Sequence, residues 1–547
     1  MENSENTSKR LKQSRFTSKL LLVAAAICAV TLGSTLTASA DNPFPPIGLT
    51  ESGLVIGSAT NGANQFLGIP YAAPPVGALR WTPPKPYGFF PGLLLNATSF
   101  GSECTQASGG SENCLFLNVY TPQNVLVEDL TQDQGRGLPV MVWIHGGSLT
   151  YGAASIYNPS FQLVQKGVIV VTINYRLGLL GFFAQSAIDA EGHENGNYGL
   201  MDQQFALNWV RRNIAGFGGD PNRVTIFGES AGGQSVYAHL ASPKAAGLFR
   251  GAIAESGSYL EFQNYYSYIV PLATAETAGS QGAPSGTAVA DSVGCTSQTA
   301  ACLRAVPAAS LVAVQSGTLY PFVDGTLLPQ QISAAFASGE FNRVPVISGG
   351  NHDEWRLQVA ENYDFVGNPI LTAPEYDTAV LALWGSAVDS AVLALYPFGN
   401  YEYGGEALGA SGTDGIYACP ERNGIKLLSQ FVPTYAYEFN DDNALYPIPA
   451  GETLSFPLGA FHSAELQYLF PLGPSPAAQV PVSDEMVTYW TQFAKNLNPN
   501  SPLEPVWSPY SASTDEFQSL ISPTPVVESN FNTFHQCDSF WNNPPPP

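Results

Sequence analysis

The chain has 547 residues, 45% of them hydrophobic and 12% aromatic, with a formal net charge of −23. That apolar content suits a large buried core, and the acidic balance argues against nucleic acid, anionic membranes and polyanionic substrates as partners. No linker, repeat or charge block divides residues 41–547, which predicts a single large domain.

Residues 1–40 stand apart. Lys9, Arg10, Lys12, Arg15 and Lys19 precede an apolar run from Leu20 to Leu32, and Ala38-Ser39-Ala40 offers a cleavage site. This pattern predicts a signal peptide removed after Ala40, too short and wrongly flanked for a membrane anchor. The residues before Cys28 lack the small residue that precedes a lipidated cysteine. No later segment is apolar for long enough to span a bilayer. Removal of the signal leaves 16 basic against 42 acidic residues, a net charge of −26, and predicts a protein in the periplasm or the medium. Six cysteines remain, with fifteen possible connectivities. No C-x-x-C or His/Cys cluster points to a metal, so disulfides are expected.

After residue 41, β-branched and aromatic runs alternate with helical stretches, the pattern of a sheet covered by helices. Strands are predicted at Val140–Ile144, Val168–Asn174, Val224–Phe227, Gly251–Ala254, Val344–Ser348 and Thr434–Phe439. Helices are predicted at Asp202–Asn213, Gln234–Leu240, Ser463–Leu469 and Asp484–Leu497. Residues 260–300 and 355–410 have weaker periodicity and read as cap or pocket-wall segments. Pro544–Pro547 reads as a disordered end.

The octet Ile226-Phe227-Gly228-Glu229-Ser230-Ala231-Gly232-Gly233 fits G-x-S-x-G between a strand and a helix. Small residues flank Ser230 because a nucleophile on a tight strand-to-helix turn leaves no room for side chains beside it. The turn projects the hydroxyl above the sheet, and the helix N-terminus behind it favours developing negative charge. A serine nucleophile needs a base, and the chain has six histidines. His239 reads as packing, and His145 is better placed for an oxyanion loop. His193 and His535 lie in polar connections with no constellation around them. His462, in a loop entering a helix, is the candidate base, and activity should fall as pH drops near ~6.5, or lower if the ring is desolvated. The acid comes from Asp353 or Glu354, after a strand, and spacing alone does not choose between them. Trp143-Ile144-His145-Gly146-Gly147-Ser148 leaves a strand with consecutive small residues, whose N–H groups can converge with that of Ala231 on an oxyanion.

Further stretches carry a resemblance: Phe66 to Ala72 with Pro74 to Gly77 and Arg80-Trp81, Ser111 to Val119, Asn174-Tyr175-Arg176, and Asp202 to Pro221. With the octet they make residues 45–541 resemble the type-B carboxylesterase/lipase family, the cholinesterase-like α/β-hydrolases. The resemblance implies an α/β-hydrolase fold, with a large mostly parallel central sheet flanked by helices, and no cofactor. It implies Glu354 as the acid of a Ser230–His462–Glu354 triad, and Gly147, Ser148 and Ala231 as oxyanion donors. Glu229 and Ser256 are implied as polar residues beside the triad, and Arg80–Glu112 and Arg176–Asp202 as buried ion pairs. Together with proximity in sequence, the resemblance implies the disulfides Cys104–Cys114, Cys295–Cys302 and Cys419–Cys537.

Departures from the family pattern are Ser148, where glycine or alanine is usual, Trp355 after the acid, and only nine residues between Cys104 and Cys114. The expected function is a secreted hydrolase of soluble short- to medium-chain esters. The alternatives are a lipase for longer acylglycerols and a non-catalytic adhesion or binding member of the fold.

Overall fold

The protein is described through a computed structural model, which covers residues 45–60, 62–123, 137–258, 269–280, 283–317, 319–448, 451–473, 479–502 and 504–542. The predicted signal peptide and Pro544–Pro547 lie outside the described residues. Eleven strands make one sheet: β1 (Ser58–Thr60), β2 (Ala63–Pro70), β3 (Phe116–Pro122), β4 (Leu138–Ile144), β5 (Ile169–Ile173), β6 (Gly219–Glu229), β7 (Gly251–Glu255), β8 (Val346–Asn351), β9 (Thr434–Phe439), β10 (Phe517–Leu520) and β11 (Val526–Glu528). Their spatial order is β11-β10-β9-β8-β7-β6-β4-β5-β3-β2-β1. Pairing is parallel from β5 through β10 and antiparallel at both edges.

The central strands are apolar on both faces because both faces are covered. In β4, Val140, Val142 and Ile144 point into one core while Met141 and Trp143 point into the other. The first core takes Leu207 and Val210 from α1 (Tyr198–Asn213) and Val236 and Leu240 from α2 (Ala231–Ala241). In the second, Trp143 meets Tyr157, Phe227 and Phe470 at ring centroids 4.8 to 5.0 Å apart. A sheet buried on both sides needs continuous hydrophobic runs, which is why β4 and β5 are so legible in the sequence.

The predicted strands and helices all exist, with shifted ends. The strand expected over Val224–Phe227 begins at Gly219 and runs to Glu229, with a register shift against β4 between Gly219 and Val224. The helix expected from Ser463 begins only at Leu466, because Ser463 takes a left-handed φ of 69°. Residues 355–410 hold real helices, among them Ala373–Trp384 and Gly404–Gly412. The packing of Trp355 is explained there: a Cβ on Gly412 would lie 2.1 Å from the indole, so the glycine makes its room.

All three expected disulfides are present. Both expected ion pairs form as well. Arg176 donates to both oxygens of fully buried Asp202 at 2.7 and 2.8 Å, and Arg80 grips Glu112 at 2.6 and 2.7 Å.

His535 corrects the expectation that it has no constellation. It is buried, with Nδ1 2.5 Å from Asp414 and Nε2 2.6 Å from Glu438. With the Cys419–Cys537 disulfide two residues further on, it ties the C-terminal segment to α3 (Cys419–Ser429) and β9. The signal was invisible in sequence because both acids come from more than ninety positions away. Burial alone would lower its pKa, but the two carboxylates raise it to about 10. A raised folded value contributes stability that is complete below the unfolded pKa of ~6.5 and lost as pH rises through about 10. His535→Ala should therefore cost about 3–5 kcal/mol at pH 6, since it leaves two buried acids uncompensated. Denaturant titrations should show that gap narrowing toward pH 10, and a gap independent of pH would contradict the assignment.

Candidate active site

Parallel strands end together, so β4, β6, β7 and β8 deliver His145–Ser148, Ser230, Ser256 and Glu354 to one edge of the sheet. Ser230 sits between the last residue of β6 and the first of α2, with φ 59° and ψ −126°. A side chain in that conformation is strained by about 1–3 kcal/mol, so the surroundings must hold it. They do so by close backbone approach. A Cβ on Gly232 would lie 2.0 Å from the carbonyl oxygen of Ile144, and one on Gly228 2.6 Å from the same atom. The Ser230 N–H donates to the Glu255 carbonyl at 2.8 Å.

Three expected residues form one hydrogen-bonded chain. His462 Nε2 lies 2.8 Å from Ser230 Oγ, and Nδ1 lies 2.5 Å from Glu354 Oε2. The other oxygen of Glu354 accepts from Ser256 Oγ at 2.5 Å and from the Asn351 N–H at 2.7 Å. Asp353, the open alternative, turns away: it accepts from the Ala460 N–H at 3.0 Å and pairs with Arg356 at 2.9 Å. Geometry thus separates two adjacent acids that spacing could not.

Gly147 and Ser148 line the same cavity as Ser230, and Ser148 has a φ of 52°. Among the described residues, the backbone N–H groups of Gly147, Ser148 and Ala231 have no hydrogen-bond acceptor. Three unclaimed donors beside a serine hydroxyl suit a developing oxyanion. His145 is buried, stacks on Tyr175 at 4.5 Å, and is held neutral by burial, which lowers its pKa to about 4. His239 is packed against Gln203 in the core, as expected.

Glu229 lies closer to the reacting groups than its expected supporting place suggests. Its carboxylate is 3.3 Å from His462 Nε2 and accepts from Ser463 Oγ at 2.7 Å. Residues absent from the sequence reading complete the setting. Asn351 Nδ2 donates to the Phe461 carbonyl at 2.7 Å and to Glu465 at 2.5 Å, clamping the His462 loop. The Tyr417 ring stands 5.1 Å from the imidazole. Asn351 lies three positions before Glu354, so it had a signal; Tyr417 had none.

A cavity of about 740 Å³ opens above Ser230 and His462, walled by Tyr151, Tyr157, Tyr417, Tyr446, Leu357 and Leu466 among others. None of residues 105–113 lines it. That loop is tied down instead, with the Gln106 amide bonded to both backbone groups of Gly152 at 3.0 and 3.1 Å. Among the described residues, no group of three His, Cys, Asp or Glu side chains is arranged to hold a metal ion.

Comparison with known proteins agrees with this geometry. The sequence matches the carboxylesterase family over residues 45–541. An acylcarnitine hydrolase of Mus musculus is 33% identical over 507 residues, 84% of this chain and 85% of the relative. A cocaine esterase of Homo sapiens is 33% identical over 536 residues, 87% of this chain and 88% of the relative. A solved PNB esterase superposes with a TM-score of 0.73 at 31% identity, covering 90% of this chain and 99% of that one. The chain belongs to the carboxylesterase family, has its α/β-hydrolase fold, and is an ester hydrolase.

The electrostatics change one expectation. Burial lowers the pKa of His462, but the carboxylates of Glu229 and Glu354 outweigh it and raise the ring to about 9. Burial raises Glu229 in turn. Proton transfer from Ser230 to His462 needs neutral imidazole, so kcat/KM should fall as pH drops, with a midpoint above 6.5 rather than at or below it. Glu229→Gln should move that midpoint to lower pH. A pH profile of a chromogenic ester checks both, and a midpoint below 6 in the parent would contradict the carboxylate account.

Proposed function

We propose that the protein is an exported carboxylesterase that cleaves soluble short- to medium-chain esters through an acyl-enzyme. The observation that carries this reading is the Ser230–His462–Glu354 chain at the foot of an open cavity, beside three unclaimed backbone donors. Ser230 Oγ attacks the ester carbonyl carbon while His462 Nε2 takes its proton. Glu354 orients the imidazole and stabilises it once charged, and the N–H groups of Gly147, Ser148 and Ala231 hold the oxyanion. The intermediate collapses, Nε2 returns the proton to the departing alcohol, and Ser230 is left esterified. Water then repeats the sequence and releases the acid.

Export is supported by the signal-like residues 1–40, with Ala40 before the cut, and by three disulfides. Among the described residues no helix is long and apolar enough to cross a membrane.

Ser230→Ala should reduce hydrolysis by several orders of magnitude with folding intact, because a nucleophile and its partners act as a unit. Glu354→Gln should impair kcat far more than Asp353→Asn, since only Glu354 touches the imidazole. Steady-state kinetics on a p-nitrophenyl ester rank the two, and the reverse order would remove Glu354 from the triad.

The preference for dissolved substrate rests on the pinned loop between Cys104 and Cys114, which offers no lid over the cavity. Rate should follow dissolved ester smoothly through its solubility limit. A jump once an emulsion forms would favour the lipase alternative.

A further inference from the structure

Three buried oxygens meet behind the reacting groups. Tyr237 lies on α2, the helix behind Ser230, Ser348 on β8, the strand that leads to Glu354, and Glu421 on α3. Tyr237 Oη and Ser348 Oγ stand 2.5 Å apart, Ser348 Oγ is 2.6 Å from Glu421 Oε1, and Tyr237 Oη touches the same carboxyl oxygen. Two residues before α3 comes Tyr417, the ring beside His462. One triangle thus joins the elements that carry Ser230, Glu354 and a wall of the imidazole.

Oxygens in contacts this short need a hydrogen between them. The triangle has three sides, and the two hydroxyls supply two hydrogens. The third must come from the carboxyl, which makes Glu421 a neutral acid. Its surroundings agree. The other oxygen, Oε2, accepts from no group among the described residues, and the nearby Ser258 hydroxyl donates to the Tyr417 carbonyl at 3.2 Å. A charged oxygen could stand so only at large cost. Glu421 also borders a cavity of about 10 Å³ together with Glu354 and Glu438. Those two have partners in His462 and His535, whereas no cation acts on Glu421. Burial pushes the Glu421 carboxyl up to about 7 against hydroxyls that bond to its charged form, and the Glu354 carboxylate adds to the rise. Where the carboxyl is itself a donor, that opposing pull weakens and the value goes higher.

Resting on the ester-hydrolase reading of this site, we propose that Glu421 is a positioning residue, a buried neutral acid whose proton closes a triangle with Tyr237 and Ser348 and so locks the helix behind Ser230 to the strand that delivers Glu354. It touches neither substrate nor imidazole, and it acts through the alignment of the two elements. Opening the triangle loosens the 2.8 Å contact between Ser230 and His462. Such a loss falls on kcat more than on KM, by about 10- to 100-fold for a displacement on the order of 1 Å.

The test reads the proton directly and through turnover, in wild type, Glu421→Gln and Glu421→Leu, with thermal midpoints to check folding. The infrared difference between wild type and Glu421→Gln at about pH 8, where an ordinary glutamate is ionised, should show the C=O stretch of a protonated carboxyl. On a p-nitrophenyl ester, Glu421→Leu should lose about 10- to 100-fold in kcat with KM little changed. Glu421→Gln keeps a donor and an acceptor without charge, so it should regain most of that loss. Because it removes no charge, its acid-side midpoint of kcat/KM should stay at the parent's value, unlike that of Glu229→Gln. Carboxylate bands in the difference spectrum, a midpoint moved down in Glu421→Gln, a Glu421→Gln kcat as low as that of Glu421→Leu, or a parental kcat in Glu421→Leu overturns this inference alone. If Glu421→Leu does not fold, the spectrum and the Glu421→Gln profile decide. A wild type that cleaves no ester overturns the hydrolase reading itself, and the spectrum still judges the proton on Glu421.

Discussion

A positive φ at Ser230 is the constraint on which the rest of the site depends. The chain must leave a buried strand and enter a helix within one residue, and only close backbone contact holds that turn. The contact comes from Ile144, whose carbonyl faces Gly228 and Gly232 at distances no side chain would permit. Ile144 is also the last residue of β4, and the loop carrying the proposed oxyanion donors starts just beyond it. One contact therefore fixes both the hydroxyl and the donors it faces. The large two-faced sheet is what makes that contact rigid, since β4 and β6 are buried on both sides and paired from Val224 to Gly228, up to the turn.

Around this point the molecule concentrates carboxyl groups. Glu229, Glu354 and Glu361 all act on His462, and Glu255 and Glu465 are buried nearby with pKa values raised by burial. Burying carboxylates costs free energy unless they are paired, hydrogen-bonded or neutral. Here Glu354 is bonded by three groups, Glu255 accepts from Trp490 Nε1 at 3.0 Å, and Glu465 accepts from Asn351. The arrangement favours the imidazolium that the proposed transfer of the Ser230 proton forms. The same field makes the resting base harder to keep neutral at low pH, so stabilisation of the charged intermediate and an alkaline working range have one cause.

Much of this was legible in the sequence because it depends on local signals. The octet around Ser230 shows its turn through glycines that exist for steric reasons, and β4 and β5 read as apolar runs. The choice of Glu354 over Asp353 was not local: it turns on which carboxylate the His462 loop meets, some hundred residues later. The same holds for His535, whose two acids come from α3's neighbourhood and β9. The strands β10 and β11 span only four and three residues, too few for a period to show in the sequence.

The covalent step is the central claim, and it can be trapped. The protein is mixed with p-nitrophenyl butyrate, quenched in acid within the first turnover, digested and mapped by mass spectrometry. The account predicts one butyryl ester, on the peptide containing Ser230, that disappears as turnover completes. Label on another residue, or none while p-nitrophenol is released in a stoichiometric burst, would contradict it.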